Sequence, residues 1–107
     1  MKNYTEALID RVWNKAKKID GIDDNLWRQD FAGAWIQKDL YGNQSHYGWE
    51  IDHFIPLAKG GTDDIDNLMP LHWLNNESKG DDSPIFKTCL TSNGIKNTRQ
   101  IKTWKHC

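Results

Sequence analysis

Trp49-Glu50-Ile51-Asp52-His53-Phe54-Ile55-Pro56-Leu57, followed by Gly60-Gly61, Asp66-Asn67-Leu68-Met69-Pro70-Leu71 and Asn76-Glu77-Ser78-Lys79-Gly80-Asp81, is the stretch on which the fold turns. Tyr47 to Phe54 alternates polar and apolar residues, as a half-buried strand does. Pro56 to Asp66 holds the glycine pair and three aspartates and predicts a loop. Asn67 to Leu71 predicts a second short strand, which Pro70 confines to a sheet edge because proline has no N–H for the ladder. His72 to Lys79 then predicts a helix, with Gly80 as its cap. The plan across residues 48–80 is therefore strand, loop, strand, helix.

Polar residues fall at telling places in that plan. Asp52 and His53 end the first strand, Asn67 opens the second, and Asn76 lies within the helix. Neighbours on a strand face opposite ways, so Asp52 and His53 share one site only where the strand bends or ends, which Pro56 and Gly60-Gly61 impose. The Asp52 carboxylate and the Asn76 amide oxygen are hard ligands suited to a divalent ion such as Mg2+. His53, titrating near neutrality, suits proton removal from an attacking water, and Asn67 can fix its tautomer through a backbone or amide contact. Lys79, three residues beyond Asn76 and on nearly the same helix face, suits a phosphate. Together these groups point to phosphodiester hydrolysis.

Outward from this core, Asn3 to Asp20 places Leu8, Val12, Trp13, Ala16 and Ile19 on one helical face. Asn3 with Glu6 resembles a capping box, and Gly21 supplies a stop. No period dominates Leu26 to Ile36, where a short helical turn and then a strand near residues 34–38 are expected. Arg28 and Asp30 read as a buried structural pair rather than catalytic groups. His72 reads as a cap of the helix it precedes, and His46 and His106 carry no assignment. The six tryptophans read as core, although Trp104 is placed to stack on a base.

Charge is unevenly spread. The formal net charge is −1, yet residues 83–107 carry Lys87, Lys96, Arg99, Lys102 and Lys105 with no Asp or Glu, a local +5 against −6 for residues 1–82. A basic C-terminal extension over 83–107, tracking a phosphate backbone through Lys96, Arg99, Lys102 and Lys105, is the expectation. Cys89 and Cys107 are too few for a structural zinc site and are expected as free thiols. No stretch is long or apolar enough to span a bilayer, and no leader pattern opens the chain, which reads as cytoplasmic.

The quoted stretch, with its intervals of 14 and 23 residues from His53 to Asn67 and Asn76, resembles the signature of HNH endonucleases over about a third of the chain. The resemblance implies a ββα-metal (His-Me finger) core at about 48–80 within one small α+β domain of residues 1–107 that opens with a helix. It implies one divalent ion, Mg2+ or else Mn2+, on Asp52 and Asn76. It further implies His53 as general base, oriented by Asn67, and DNA products with 5′-phosphate and 3′-hydroxyl ends. Asn76 stands where many members have histidine, a variant common in the HNH domains of CRISPR effector nucleases, which moves the preferred ion from zinc or nickel toward Mg2+. The paired C-x-x-C clamp of many members is missing. A monomer that nicks with low sequence specificity is expected, with RNA also open as a substrate. The rival readings are a catalytically silent DNA-binding module and a toxin-type nuclease paired with an immunity protein.

Overall fold

A computed structural model describes residues 3–105. Its elements run α1 (Glu6–Trp13), β1 (Trp27–Gln29), β2 (Trp35–Gln37), β3 (Trp49–His53), β4 (Leu68–His72), α2 (Trp73–Lys79), β5 (Ile85–Asn93) and β6 (Lys96–Lys105), joined in three antiparallel pairs, β1-β2, β3-β4 and β5-β6. The fold is α+β. Among the described residues no helix is long and apolar enough to cross a membrane.

α1 is shorter than the apolar spacing predicts. Thr5, not Asn3, caps it, with Oγ1 accepting from the Leu8 N–H at 3.2 Å, and the helix ends at Trp13. Arg28 explains the stop: its buried guanidinium donates to the carbonyls of Trp13 and Ala16, both at 3.4 Å, and to Asn14 Oδ1 at 3.3 Å. A guanidinium occupying the carbonyls at a helix end substitutes for the next helical turn. The chain then exchanges backbone hydrogen bonds between Lys17 and Gln29 instead of continuing to Asp20.

Arg28 and Asp30 are structural as expected but do not pair with each other. Asp30 closes the β1-β2 turn by accepting from Ala34 N–H at 2.9 Å, while its other oxygen accepts from His72 N–H at 3.0 Å and Asn75 Nδ2 at 2.9 Å. One buried carboxylate thus joins the first hairpin to the junction of β4 and α2. Burial pushes its pKa up, and these hydrogen bonds oppose the shift. Gly33, at φ +91°, lets this turn lie against β5: a Cβ there would sit 2.6 Å from Thr91 Oγ1.

Strand, loop, strand and helix in the central segment follow the sequence closely. β3 and β4 pair from Trp49 with His72 to His53 with Leu68, and Pro70 is tolerated because the sheet has only these two strands. Trp49 stacks obliquely on Trp13, ring centroids 5.4 Å apart, in a core with Val12, Ala16, Ile36 and Leu68. Each such indole removes roughly 200 Å² from water, on the order of 5 kcal/mol at ~25 cal/mol/Å². This core holds the start of β3 rigid and leaves its end, Asp52-His53, at the rim.

Residues 83–105 are the described part of the basic C-terminal extension. They form a long hairpin with Gly94 at φ +64° in its turn. Its inner face packs Phe86 and Trp104 around Phe31, and Asn75 of α2 fastens its first strand. The expected free thiol Cys107 lies outside the described residues, as does His106; Cys89 is half-buried with its Sγ near the Leu74 carbonyl.

Candidate active site

The end of β3, the loop after it and the last turn of α2 enclose an open cleft of about 480 Å³ lined by Asp52, His53, Leu57, Asn76, Gly80 and Asp81. Three of the four residues singled out from the sequence, Asp52, His53 and Asn76, therefore face one space. Asp52 is 7% exposed. The ammonium of Lys79 lies 3.1 Å from its Oδ2, and no other donor among the described residues reaches that oxygen. Burial drives the Asp52 pKa up to about 6, against the opposing pull of Lys79 and then His53, while Asp81 adds to the rise. A carboxylate this dry, with Asp81 in the same cleft and one buried ammonium against it, marks a site that favours added positive charge.

Lys79 is wholly buried, lying over the Phe86 ring at 5.3 Å and donating to the His53 carbonyl at 3.2 Å. Its place is beneath the site, as the counter-charge of Asp52. It does not reach out to solvent as a phosphate-binding lysine would. Asn76 is oriented by Glu50: Nδ2 donates to Glu50 Oε1 at 2.9 Å, and no hydrogen bond among the described residues engages Oδ1. Glu50 and Asp52 are two apart on β3 and so share the face turned to α2.

His53 meets a partner that the sequence did not disclose. Its Nε2 lies 2.7 Å from Asp63 Oδ1, in the loop between β3 and β4. Asn67, expected to hold the imidazole, instead fastens that loop. Its Oδ1 accepts from Ile55 N–H at 2.8 Å, and its Nδ2 donates to the carbonyls of Ile55 at 3.0 Å and Thr62 at 2.8 Å. Gly61 completes the closure, because a Cβ there would overlap the Ile55 carbonyl oxygen at 1.7 Å. Asn67 thus acts on His53 through the loop that carries Asp63.

Among the basic residues, Lys96, Arg99 and Lys105 are exposed on the hairpin, outside this cleft. Lys102 is half-buried, its ammonium 3.4 Å from the Ala32 carbonyl and 3.3 Å from Thr91 Oγ1, where it braces the hairpin against the β1-β2 turn. His72 is the structural cap expected: Nδ1 accepts from Leu74 N–H at 3.1 Å, so Nε2 carries the proton and donates to the His46 carbonyl at 2.8 Å. Burial lowers its pKa and favours this neutral form.

Compared with known proteins, residues 39–82 match the family model described as HNH endonuclease. No curated protein and no solved structure matches the chain.

Proposed function

We propose that this chain, whose residues 39–82 match the HNH endonuclease family model, hydrolyses DNA phosphodiester bonds at the cleft of Asp52, His53 and Asn76. The observation that carries the reading is the buried Asp52 carboxylate, held by the single ammonium of Lys79 and sharing that cleft with an oriented amide and a carboxylate-held histidine.

A divalent ion fits these residues. Asp52 Oδ2 has only the Lys79 ammonium beside it, no hydrogen bond among the described residues engages Asn76 Oδ1, and two protein oxygens suit Mg2+, which keeps several waters and takes phosphate oxygens as further ligands. Among the described residues no group of three or more His, Cys, Asp or Glu is placed to hold an ion, so water and substrate phosphate would complete its shell. When bound, the ion supplies positive charge to the scissile phosphate and the leaving 3′ oxygen.

The chain's own groups do the rest. Asp63 accepts the Nε2 proton of His53, which leaves Nδ1 as the basic nitrogen and steadies the imidazolium that forms. Nδ1 takes a proton from water as its oxygen attacks phosphorus. The bond from phosphorus to the 3′ oxygen breaks, leaving a 5′-phosphate and, after proton uptake from solvent, a 3′-hydroxyl. Lys79 holds Asp52 ionised against its burial, and Glu50 keeps the Asn76 oxygen toward the cleft. Lys96, Arg99 and Lys105 on the hairpin supply phosphate contacts beyond the cleft.

Supercoiled plasmid incubated with purified protein in Mg2+, Mn2+, Zn2+ or EDTA tests the reading, with His53→Ala beside it. Metal-dependent open-circle product that drops by a factor of roughly 10² to 10⁴ in the variant is expected. Full activity in the variant, or activity in EDTA, refutes the assigned roles.

A further inference from the structure

A second cleft, of about 430 Å³, opens at the head of α2, between the loop Gln44-Ser45-His46, Trp73 of α2, and Asn97 and Arg99 of β6. We propose that it is a nucleotide subsite, which takes the unit of the cleaved strand next to the scissile phosphate: phosphate on Arg99 and His46, base against Trp73. This rests on the nuclease reading above and extends it to where the strand lies.

Four observations carry it. First, the loop is braced through its carbonyls, and no hydrogen bond among the described residues engages the side chains of Gln44 and His46. The Ser45 and His46 carbonyls accept from Trp73 Nε1 at 2.7 Å and His72 Nε2 at 2.8 Å, which fixes the loop to the head of α2. Second, Ser45 Oγ in the cleft wall is buried with no hydrogen-bond partner among the described residues. Third, the guanidinium of Arg99 is exposed, with no ion pair or hydrogen bond among the described residues, and no Asp or Glu lines the cleft. In a chain of net charge −1 such a wall selects anions, and a planar guanidinium fits phosphate oxygens in pairs. Fourth, the half-buried Trp73 ring lies over His72, 6.1 Å between centroids and 25° from parallel, an aromatic pair in the cleft lining.

The placement ties this cleft to the first. Trp73 and Asn76 are three residues apart on α2 and share a face, separated by about 4.5 Å along its axis. The two clefts therefore open along one helix, and a strand lying along α2 with its phosphate at Asn76 can bring a neighbouring nucleotide to Trp73. The volume is that of a small-ligand site, too small for a folded partner to enter.

The test uses the full chain and fluorescent DNA oligonucleotides, with Arg99→Ala, Gln44→Ala and His46→Ala compared with Lys18→Ala, which removes a cation outside both clefts. In EDTA, Arg99→Ala should weaken binding several-fold and lower the slope of log affinity against log salt by about 1, whereas Lys18→Ala should leave both unchanged. In Mg2+, Arg99→Ala and His46→Ala should raise KM with kcat nearly constant. A photoreactive base at the position flanking the cut should crosslink to Trp73. Arg99→Ala behaving as Lys18→Ala in affinity and slope, or crosslinks that avoid Trp73, overturns the subsite even when the wild-type chain cuts plasmid. Oligonucleotide binding that needs Arg99 but brings no cleavage under any metal supports the subsite and refutes the hydrolytic reading. A chain that neither binds nor cuts refutes both.

Discussion

Replacing Asn75 should do more damage than replacing any residue of the cleft. Its side chain is fully buried and makes four hydrogen bonds: Oδ1 accepts from the N–H groups of Cys89 at 3.0 Å and Leu90 at 2.8 Å, and Nδ2 donates to the Leu90 carbonyl at 3.0 Å and Asp30 Oδ2 at 2.9 Å. Asn75→Ala strands three backbone groups and removes one donor from a buried carboxylate. Each buried group left unsatisfied costs about 1 to 3 kcal/mol, so the loss should be roughly 3 to 6 kcal/mol. That is much of the ~5 to 15 kcal/mol that holds a small domain together. Asn75→Asp is the sharper variant, because it keeps the acceptor for the two N–H groups but sets a second carboxylate beside Asp30. The pair must then share a proton, so its folded pKa lies above the unfolded value. Stability is gained below the unfolded pKa and lost as pH rises through the folded one. Urea unfolding followed by tryptophan fluorescence at pH 5 and pH 8 reads both effects. The reasoning fails if Asn75→Ala stays within about 1 kcal/mol of wild type, or if Asn75→Asp shows the same pH dependence as wild type.

Other expectations concern the site and its supports. Asp63→Asn should slow plasmid cleavage roughly tenfold to hundredfold, the scale of a group that orients another, while calorimetry shows divalent-ion binding unchanged. Because the folded pKa of Asp52 is raised from 3.8 to about 6, the native chain holds that proton more tightly than the unfolded one. The metal-free protein should therefore lose about 3 kcal/mol from this group as pH rises from about 4 through about 6, and Mg2+ affinity measured by calorimetry should fall as pH drops below about 6. Lys79→Met leaves Asp52 buried without its counter-charge and should cost about 3 to 5 kcal/mol in urea unfolding, with an undiminished midpoint counting against the pair. Gly33→Ala should lower the thermal midpoint through both its positive φ and the approach of Thr91 Oγ1, whereas Gly42→Ala, strained in φ but with open space around it, should lower it less.

The central segment was legible because each of its signals is local: alternation in β3, the proline in β4, the glycine after α2. The meeting of Asp52, His53 and Asn76 in one cleft was legible for the same reason, since one hairpin and the helix that follows bring them there. What escaped depends on contacts distant in sequence. Nothing within residues 3–20 says that α1 stops at Trp13, because the stop is the guanidinium of Arg28 arriving from β1. The loop aspartates look alike in sequence, and Asp63 is selected as the partner of His53 only by the closure that Asn67 and Gly61 impose. Lys79 looked outward by helical spacing, yet Phe86 of the later hairpin covers it. That hairpin did carry a readable signal, Asn93-Gly94 between the alternating Phe86, Thr88 and Leu90 and a β-prone strand, and the concentration of basic charge obscured it.

α2 has seven residues and is answerable on several sides at once. Trp73 ties down the loop at Ser45, Asn75 clasps the last hairpin, Asn76 meets Glu50, Ser78 bonds the Lys87 carbonyl, and Lys79 lies under Asp52. A helix turns about 100° per residue, so inserting or deleting one residue within it would turn every later side chain toward the wrong neighbour. Point substitutions can drift at Leu74 and Glu77, but changes of length cannot be accommodated there. Insertions and deletions in related chains should therefore collect in the exposed turns at Gly42 and Gly94 and leave the spacing from Trp73 to Gly80 untouched.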